Sequence, residues 1–270
     1  MVAILLGADN GFFYAGQIMH FSSPFTVFLI YHKQDTIEQD VGFSYFGTVH
    51  LLWLFVTLVA LIVNHFIYRR MDDSGRNVWR KVFAWLLIAD ELFKMAILIY
   101  SGNYGVGYLP LHLCSINIIL IAIHAYRPFP ILGNFLYTVC IPGALAALLF
   151  PTWTSLPVTN GMHLHSFTVH LLLMVYPVVL TLNGDIRPDI KHLPRTLGLL
   201  VLMAVPIYII NLLLDTNFMF LMSADPGNPL YFFETLWGNH LFGFPVIIAG
   251  VLLVMYGPIL LIQKLRKKVL

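Results

Sequence analysis

Long blocks of hydrophobic residues alternate with short polar breaks through most of this chain. The breaks carry turn-forming sequences such as MDDSG, YRPFP and NGDIRP. An apolar run of about 20 residues predicts a membrane-spanning helix, because in lipid a helix satisfies its backbone hydrogen bonds internally. The pattern therefore predicts an all-α polytopic membrane protein, with a seven-transmembrane-helix bundle over residues 45–270. The seven predicted spans lie at 45–68, 79–101, 110–126, 129–150, 163–183, 196–221 and 236–262.

The first 44 residues follow a different pattern. GFFYAGQIMHF and SSPFTVFLIY are apolar and aromatic, yet each is too short to span a bilayer. They predict a short N-terminal interfacial or re-entrant segment at 1–44. The composition is 59% hydrophobic and 10% charged, whereas a soluble domain carries about a quarter charged residues. We therefore expect a single integral membrane domain over 1–270.

Basic residues occur in alternate breaks only, and this predicts the direction of the chain. By the positive-inside rule, the N-terminus lies outside and the C-terminus in the cytoplasm. The net charge of +2 is small and its basic part lies in loops, so we expect membrane lipids as partners and no nucleic acid. In a bacterial cell the expected location is the plasma membrane. The basic residues in these loops and at the C-terminus are Arg69, Arg70, Arg76, Arg80, Lys81, Arg127, Arg187, Lys191, Arg195, Lys264, Arg266, Lys267 and Lys268.

Ionisable and polar residues also occur inside the predicted spans, where they are costly and usually face the bundle interior. With the predicted direction, residues from five spans fall in the outer half of the membrane. This segregation predicts a polar cavity that opens toward the outer leaflet. The candidate substrate-binding residues are Asp90, Glu91, Lys94, His112, His165, Asp215, Asn217 and His240.

A thiol in the third span supplies the candidate nucleophile, Cys114, because a cysteine becomes reactive when a base or a positive neighbour acts on it. Positions 112 and 114 lie about 200° apart around a helix, so His112 should face away from the thiol. His170 in the fifth span could act as the base if spans three and five are neighbours. These two are the candidate catalytic residues.

Two other classes of function remain open on the same residues. A non-catalytic protein could bind or transport a lipid or small solute in the cavity. A metal-dependent lipid hydrolase could use His112, His163, His170, His240 and Asp215, but no HxxxH or HExxH spacing occurs. No metal site or cofactor is therefore predicted. A retinal sensor is excluded, because the last span has no lysine before Lys264.

Five stretches carry a family resemblance: ELFKMAILIY, LPLHLC, PGALAALLFP, HSFTVHLLLMVYP and DTNFMFL. The chain resembles the YwaF-type integral membrane proteins of bacteria, whose animal relatives include a cysteine/histidine phospholipid acyltransferase. The resemblance implies a seven-span fold and acyl transfer between lipids. His170, seven residues before Pro177, matches the relative's histidine. The relative's cysteine directly follows the proline of span three, where this chain has Leu111, and Cys114 lies about one helical turn further on.

Overall fold

The computed structural model describes residues 41–224 and 228–269, so the segment predicted for 1–44 lies almost entirely outside the described residues. Within them the regular elements are all helical, which confirms the all-α class. The helices are α1 (Thr48–Arg69), α2 (Asp73–Tyr100), α3 (Leu113–Tyr126), α4 (Pro130–Leu149), α5 (Gly161–Leu182), α6 (Leu193–Leu214), α7 (Pro229–Trp237) and α8 (Gly243–Val269), with short 3₁₀ turns between some of them.

Each of the seven predicted spans contains a helix, and five of these helices are long and apolar enough to cross a membrane. They are α1, α4, α5, α6 and the helix formed by the last 3₁₀ turn and α8. Helix α2 has 28 residues but carries several charged side chains, and α3 has only 14 residues. The structure therefore confirms membrane-spanning helices, whereas the count of seven and the direction of the chain stay predictions.

The sixth predicted span ends earlier than its hydrophobicity suggested. Asp215 adopts a left-handed backbone conformation with φ 51°, which terminates α6 at Leu214. The buried Asn211 side chain then holds the turn that follows. Its Oδ1 accepts a hydrogen bond from the backbone N–H of Phe218 at 2.8 Å, and its Nδ2 donates to the Phe218 carbonyl at 3.0 Å. Asp215 and Asn217 therefore lie in a loop and not in a helix.

Helix α5 lies at the centre of the bundle and packs against α1, α2, α3 and α4. Its Phe167 and Tyr176 side chains are fully buried in the core. By contrast, α1, α6 and α8 expose most of their length. Their exposed residues are Leu, Ile, Val and Phe in the main, as expected for surfaces that contact lipid.

A buried hydrogen-bond network joins α4, α6 and α8 beside a widened turn of α4. Residues Leu136–Cys140 form a single π-helical turn, a feature that often lies near functional sites. The hydroxyl groups of Thr138 and Tyr256 lie 2.8 Å apart, and Tyr256 also donates to Asn134 Oδ1 at 3.1 Å. Asn134 Nδ2 donates to Thr196 at 2.9 Å. Polar groups thus fix three membrane helices in one arrangement.

Replacement of Tyr256 by phenylalanine is expected to lower the free energy of unfolding by about 1–2 kcal/mol, because it leaves the buried Thr138 hydroxyl without this partner and removes one of the two hydrogen bonds that Asn134 Oδ1 accepts. The matched control is Tyr208→Phe, which removes a hydroxyl from a side chain that is 40% exposed on α6. Unfolding in detergent, followed by circular dichroism, measures both variants. Equal losses would show that the network does not stabilise the bundle.

Candidate functional site

Two successive carboxylates of α2 form the basis of the candidate site. Asp90 and Glu91 are neighbours in sequence, so they point about 100° apart around the helix. Helix α2 packs against both α3 and α5. As a result, Asp90 contacts side chains of α5 whereas Glu91 contacts a side chain of α3.

Asp90 is surrounded by polar atoms of α5. Its Oδ2 lies 2.9 Å from Nδ1 of His165, and its Oδ1 accepts a hydrogen bond from the Thr168 hydroxyl at 2.7 Å. The contact with His165 has the distance of an ion pair, but the ring N–H is not aligned for a hydrogen bond. The Asp90 and His165 side chains are only 13% and 8% exposed. This pair therefore places two ionisable side chains between α2 and α5.

Glu91 forms a second polar group with Lys94, one helical turn further along α2, and the two side chains are joined by an ion pair. Glu91 Oε1 also accepts a hydrogen bond from the hydroxyl of Ser115 on α3 at 3.3 Å. Lys94 and Glu91 both act electrostatically on Cys114 and on His112. The predicted thiol thus lies beside a buried lysine–glutamate pair.

Cys114 lies in the first turn of α3 and is a free, half-buried thiol. It packs against the hydrophobic core, which includes Cys140 of α4. The free N–H groups at a helix N-terminus interact favourably with negative charge, and Lys94 adds a positive neighbour. Burial and the Glu91 carboxylate oppose the thiolate, so the thiol needs a base to serve as a nucleophile.

His112 departs from the expectation based on helical spacing, because α3 begins only at Leu113. His112 is the residue before the helix and has an extended backbone with φ −68° and ψ 152°. Its ring lies edge-on to Phe218, with centroids 5.1 Å apart, in the loop after α6. The 200° separation from Cys114 therefore does not apply, and the His112 ring is directed by its contacts with this loop.

His170 is held in a defined orientation on α5. Its Nδ1 lies 2.6 Å from the carbonyl oxygen of Ser166, which can only accept a hydrogen bond. In the neutral ring, Nδ1 therefore carries the hydrogen and Nε2 keeps its lone pair. The ring also stacks on Trp153, with centroids 5.4 Å apart and planes at 8°. This arrangement presents a potential base.

The structure does not join Cys114 and His170 by a hydrogen bond. His170 interacts electrostatically with Asp90 and His165, whereas Cys114 interacts with the Glu91–Lys94 pair. The two groups of polar residues therefore lie on adjacent faces of α2. Helices α3 and α5 are in contact, which is the condition for His170 to act on Cys114.

The predicted residues between α6 and α8 contact other residues of that segment and not the polar groups around Asp90 and Glu91. His240 Nε2 lies 3.0 Å from the Phe220 carbonyl, and its Nδ1 lies 3.8 Å from Glu234. Asn217 Oδ1 accepts hydrogen bonds from the backbone of Met222 and Ser223. Asp215 is exposed. Their roles as substrate-binding residues stay predictions.

Histidines that could have held a metal are dispersed. His163 is fully buried, and its Nε2 accepts a hydrogen bond from the Trp53 indole at 3.1 Å. Over residues 41–224 and 228–269, no three His, Cys, Asp or Glu side chains are grouped as a metal site would require. The described arrangement therefore gives no support to the metal-dependent hydrolase.

Sequence reasoning did not assign to the site three residues that complete these polar groups. Thr168 and Ser115 bind the two carboxylates of α2, and Trp153 stacks on His170. Thr168 and Ser115 could have been found as hydroxyl residues within apolar helices that face ionisable groups. Trp153 lies in the loop PTWTSLP, and nothing in its spacing indicates this contact.

Comparison with protein families gives one match. The model of the TMEM164 family, a family of membrane proteins, matches residues 45–256. The matched range contains helices α1 to α7 completely and the first part of α8. No curated protein and no solved structure matches the chain. Because the match extends over most of its length, the chain belongs to the TMEM164 family of integral membrane proteins.

Proposed function

We propose that this protein is a membrane lipid acyltransferase or transacylase, with Cys114 as the nucleophile and His170 as the general base. The observation that carries the proposal is the position of the thiol. Cys114 lies at the start of α3, next to the buried Glu91–Lys94 pair, and α3 packs against the helix that presents His170. The resemblance to a cysteine/histidine acyltransferase adds support.

The proposed reaction has two steps. In the first, His170 Nε2 takes the thiol proton and the sulfur attacks an ester carbonyl of a donor phospholipid. The carbon–oxygen ester bond breaks, and the lysophospholipid leaves with the proton returned by His170. In the second, the hydroxyl of an acceptor lysolipid gives its proton to His170 and attacks the thioester, and the thiolate leaves and is reprotonated. Such base catalysis contributes about 10²–10⁴-fold.

The remaining polar groups are assigned to substrate orientation. Lys94 and His112 lie near the thiol and can bind the phosphate of a lipid headgroup. Asp90, which contacts His165, can stabilise the positive charge that His170 gains when it acts as a base. The distribution of basic residues supports an orientation in which this region faces the outer leaflet. Substrate binding must also bring the thiol and the imidazole within reach of each other.

The proposal is tested by trapping the acylated enzyme. The purified protein is incubated with a phospholipid that carries a labelled acyl chain, quenched in acid and measured by intact mass spectrometry. We expect a mass increase of one acyl chain on Cys114 that hydroxylamine removes, because hydroxylamine cleaves thioesters. The Cys140→Ser variant is the matched control and should still be labelled.

A second candidate function is a lipid carrier without turnover. The observation that favours it is the lack of a hydrogen bond between Cys114 and His170, since a carrier needs neither group to react. In that case the labelled phospholipid remains bound but intact, and no hydroxylamine-sensitive mass forms on the protein. The same mass spectra therefore distinguish the two candidates.

A further inference from the structure

The end of the bundle at which α1 ends and α2 begins contains a polar group that the proposed acyl transfer does not use. Its members are Tyr68, Arg76, Arg80 and Asp185, here called the arginine cluster. Arg76 Nη1 lies 3.7 Å from Asp185 Oδ2, and its guanidinium carbon lies 5.1 Å from the centre of the Tyr68 ring. Arg80 Nη1 donates to the Tyr68 hydroxyl at 3.4 Å. Asp185 also acts electrostatically on Tyr68.

Hydrogen bonding in the arginine cluster is incomplete. Each guanidinium offers five N–H donors, yet the Nε atoms of Arg76 and Arg80 are buried and have no hydrogen-bond partner among the described residues. Basic residues that served only to orient the chain could extend into water. These two instead point their Nε groups into the protein, where a buried donor without an acceptor is costly.

The cluster also carries excess positive charge. It contains two guanidinium groups and one carboxylate, that of Asp185. Arg80 and Asp185 are the charged side chains that act on the neighbouring His124 and Tyr176. A partly buried positive charge needs a counter-charge, and the Arg76 side chain, which is 24% exposed, marks where an anion can reach the cluster.

We propose that the arginine cluster binds a phosphate group, carried by an anionic lipid headgroup or present as free phosphate. Guanidinium groups match phosphate oxygens in geometry and bind them through paired N–H donors. A groove of about 470 Å³ lies on the adjacent face of α2, with Val78, Trp79 and Val82 among its walls. This groove could hold an acyl chain of a bound lipid. The site is independent of Cys114 and of the proposed acyl transfer.

Binding is measured on the full-length protein by native mass spectrometry and by thermal shift. The probes are phosphatidylglycerol, zwitterionic phosphatidylcholine and inorganic phosphate. We expect saturable binding of at least one anionic probe, weakened tenfold or more in Arg76→Gln and Arg80→Gln. Arg70→Gln removes an exposed arginine at the same end of the bundle and should leave binding unchanged. Arg80→Lys replaces Arg80→Gln if that variant does not fold. Lysine keeps the charge but lacks the paired N–H donors of the guanidinium, so this variant is also expected to weaken binding.

The outcomes separate the two sources and the failure of the proposal. If the protein binds phosphatidylglycerol saturably but does not bind inorganic phosphate, the ligand is a lipid headgroup. If inorganic phosphate stabilises the protein saturably, the ligand is a soluble phosphate. Equal binding of phosphatidylglycerol and phosphatidylcholine without phosphate binding would overturn the proposal. So would a loss in Arg70→Gln as large as that in Arg76→Gln, because that result would indicate a diffuse charge effect.

Discussion

Replacement of Cys114 by alanine is expected to reduce acyl transfer from labelled phospholipid by roughly a thousandfold or more, because removal of a nucleophile leaves only the catalysis supplied by binding and orientation. Lipid binding should be retained, since the Glu91–Lys94 pair and His112 remain in place. Turnover of a fluorescent phospholipid in proteoliposomes, resolved by thin-layer chromatography, measures the loss.

The matched control for this experiment is the other cysteine. Cys140 is buried in α4, and its thiol lies 3.5 Å from the Leu173 carbonyl. Cys140→Ala should lower stability but leave turnover per folded molecule near the wild-type value. If Cys114→Ala and Cys140→Ala retained equal turnover, Cys114 would not be the nucleophile.

Replacement of Asp90 by alanine is expected to lower the free energy of unfolding by about 1.5–3 kcal/mol, the usual contribution of a hydrogen bond to a charged group. The substitution leaves His165 without its carboxylate and removes the hydrogen bond from Thr168. Because these contacts join α2 to α5, we expect the two helices to pack less tightly against each other in the variant. Denaturation in mixed micelles, followed by tryptophan fluorescence, measures the change.

Asp73→Ala is the control for Asp90→Ala, because Asp73 is an exposed residue in the first turn of the same helix. There the carboxylate only complements the helix dipole, which is worth about 0.3–1 kcal/mol. A loss for Asp90→Ala no larger than that for Asp73→Ala would mean that the contacts with His165 and Thr168 do not hold α2 against α5.

The sequence predicted the helices well because long apolar runs have few alternatives in a membrane. It failed at the end of the sixth span, since a single left-handed residue, Asp215, stopped the helix within an apolar run. The third span was predicted to begin at residue 110, whereas α3 begins at Leu113, so His112 precedes the helix and helical spacing does not describe it. Local backbone conformation decided both cases, and hydrophobicity does not report it.

The candidate site was predicted in part. Ionisable residues within spans indicated Asp90 and Glu91, and both have polar contacts in the bundle, as such residues need. Their roles in a site stay predictions. The network of Asn134, Thr196 and Tyr256 was missed, since its members lie up to 122 positions apart and each alone is an ordinary polar residue. Only the packing of three helices brings them together.

Because Asp90 and Glu91 are adjacent on α2, this one helix carries a residue of each polar group. A rotation of α2 about its axis would move both carboxylates together, one relative to His165 and the other relative to Ser115. The surroundings of the thiol and of the imidazole therefore cannot be adjusted separately. A ligand that rotated α2 by binding at one polar group would therefore also displace the carboxylate of the other group.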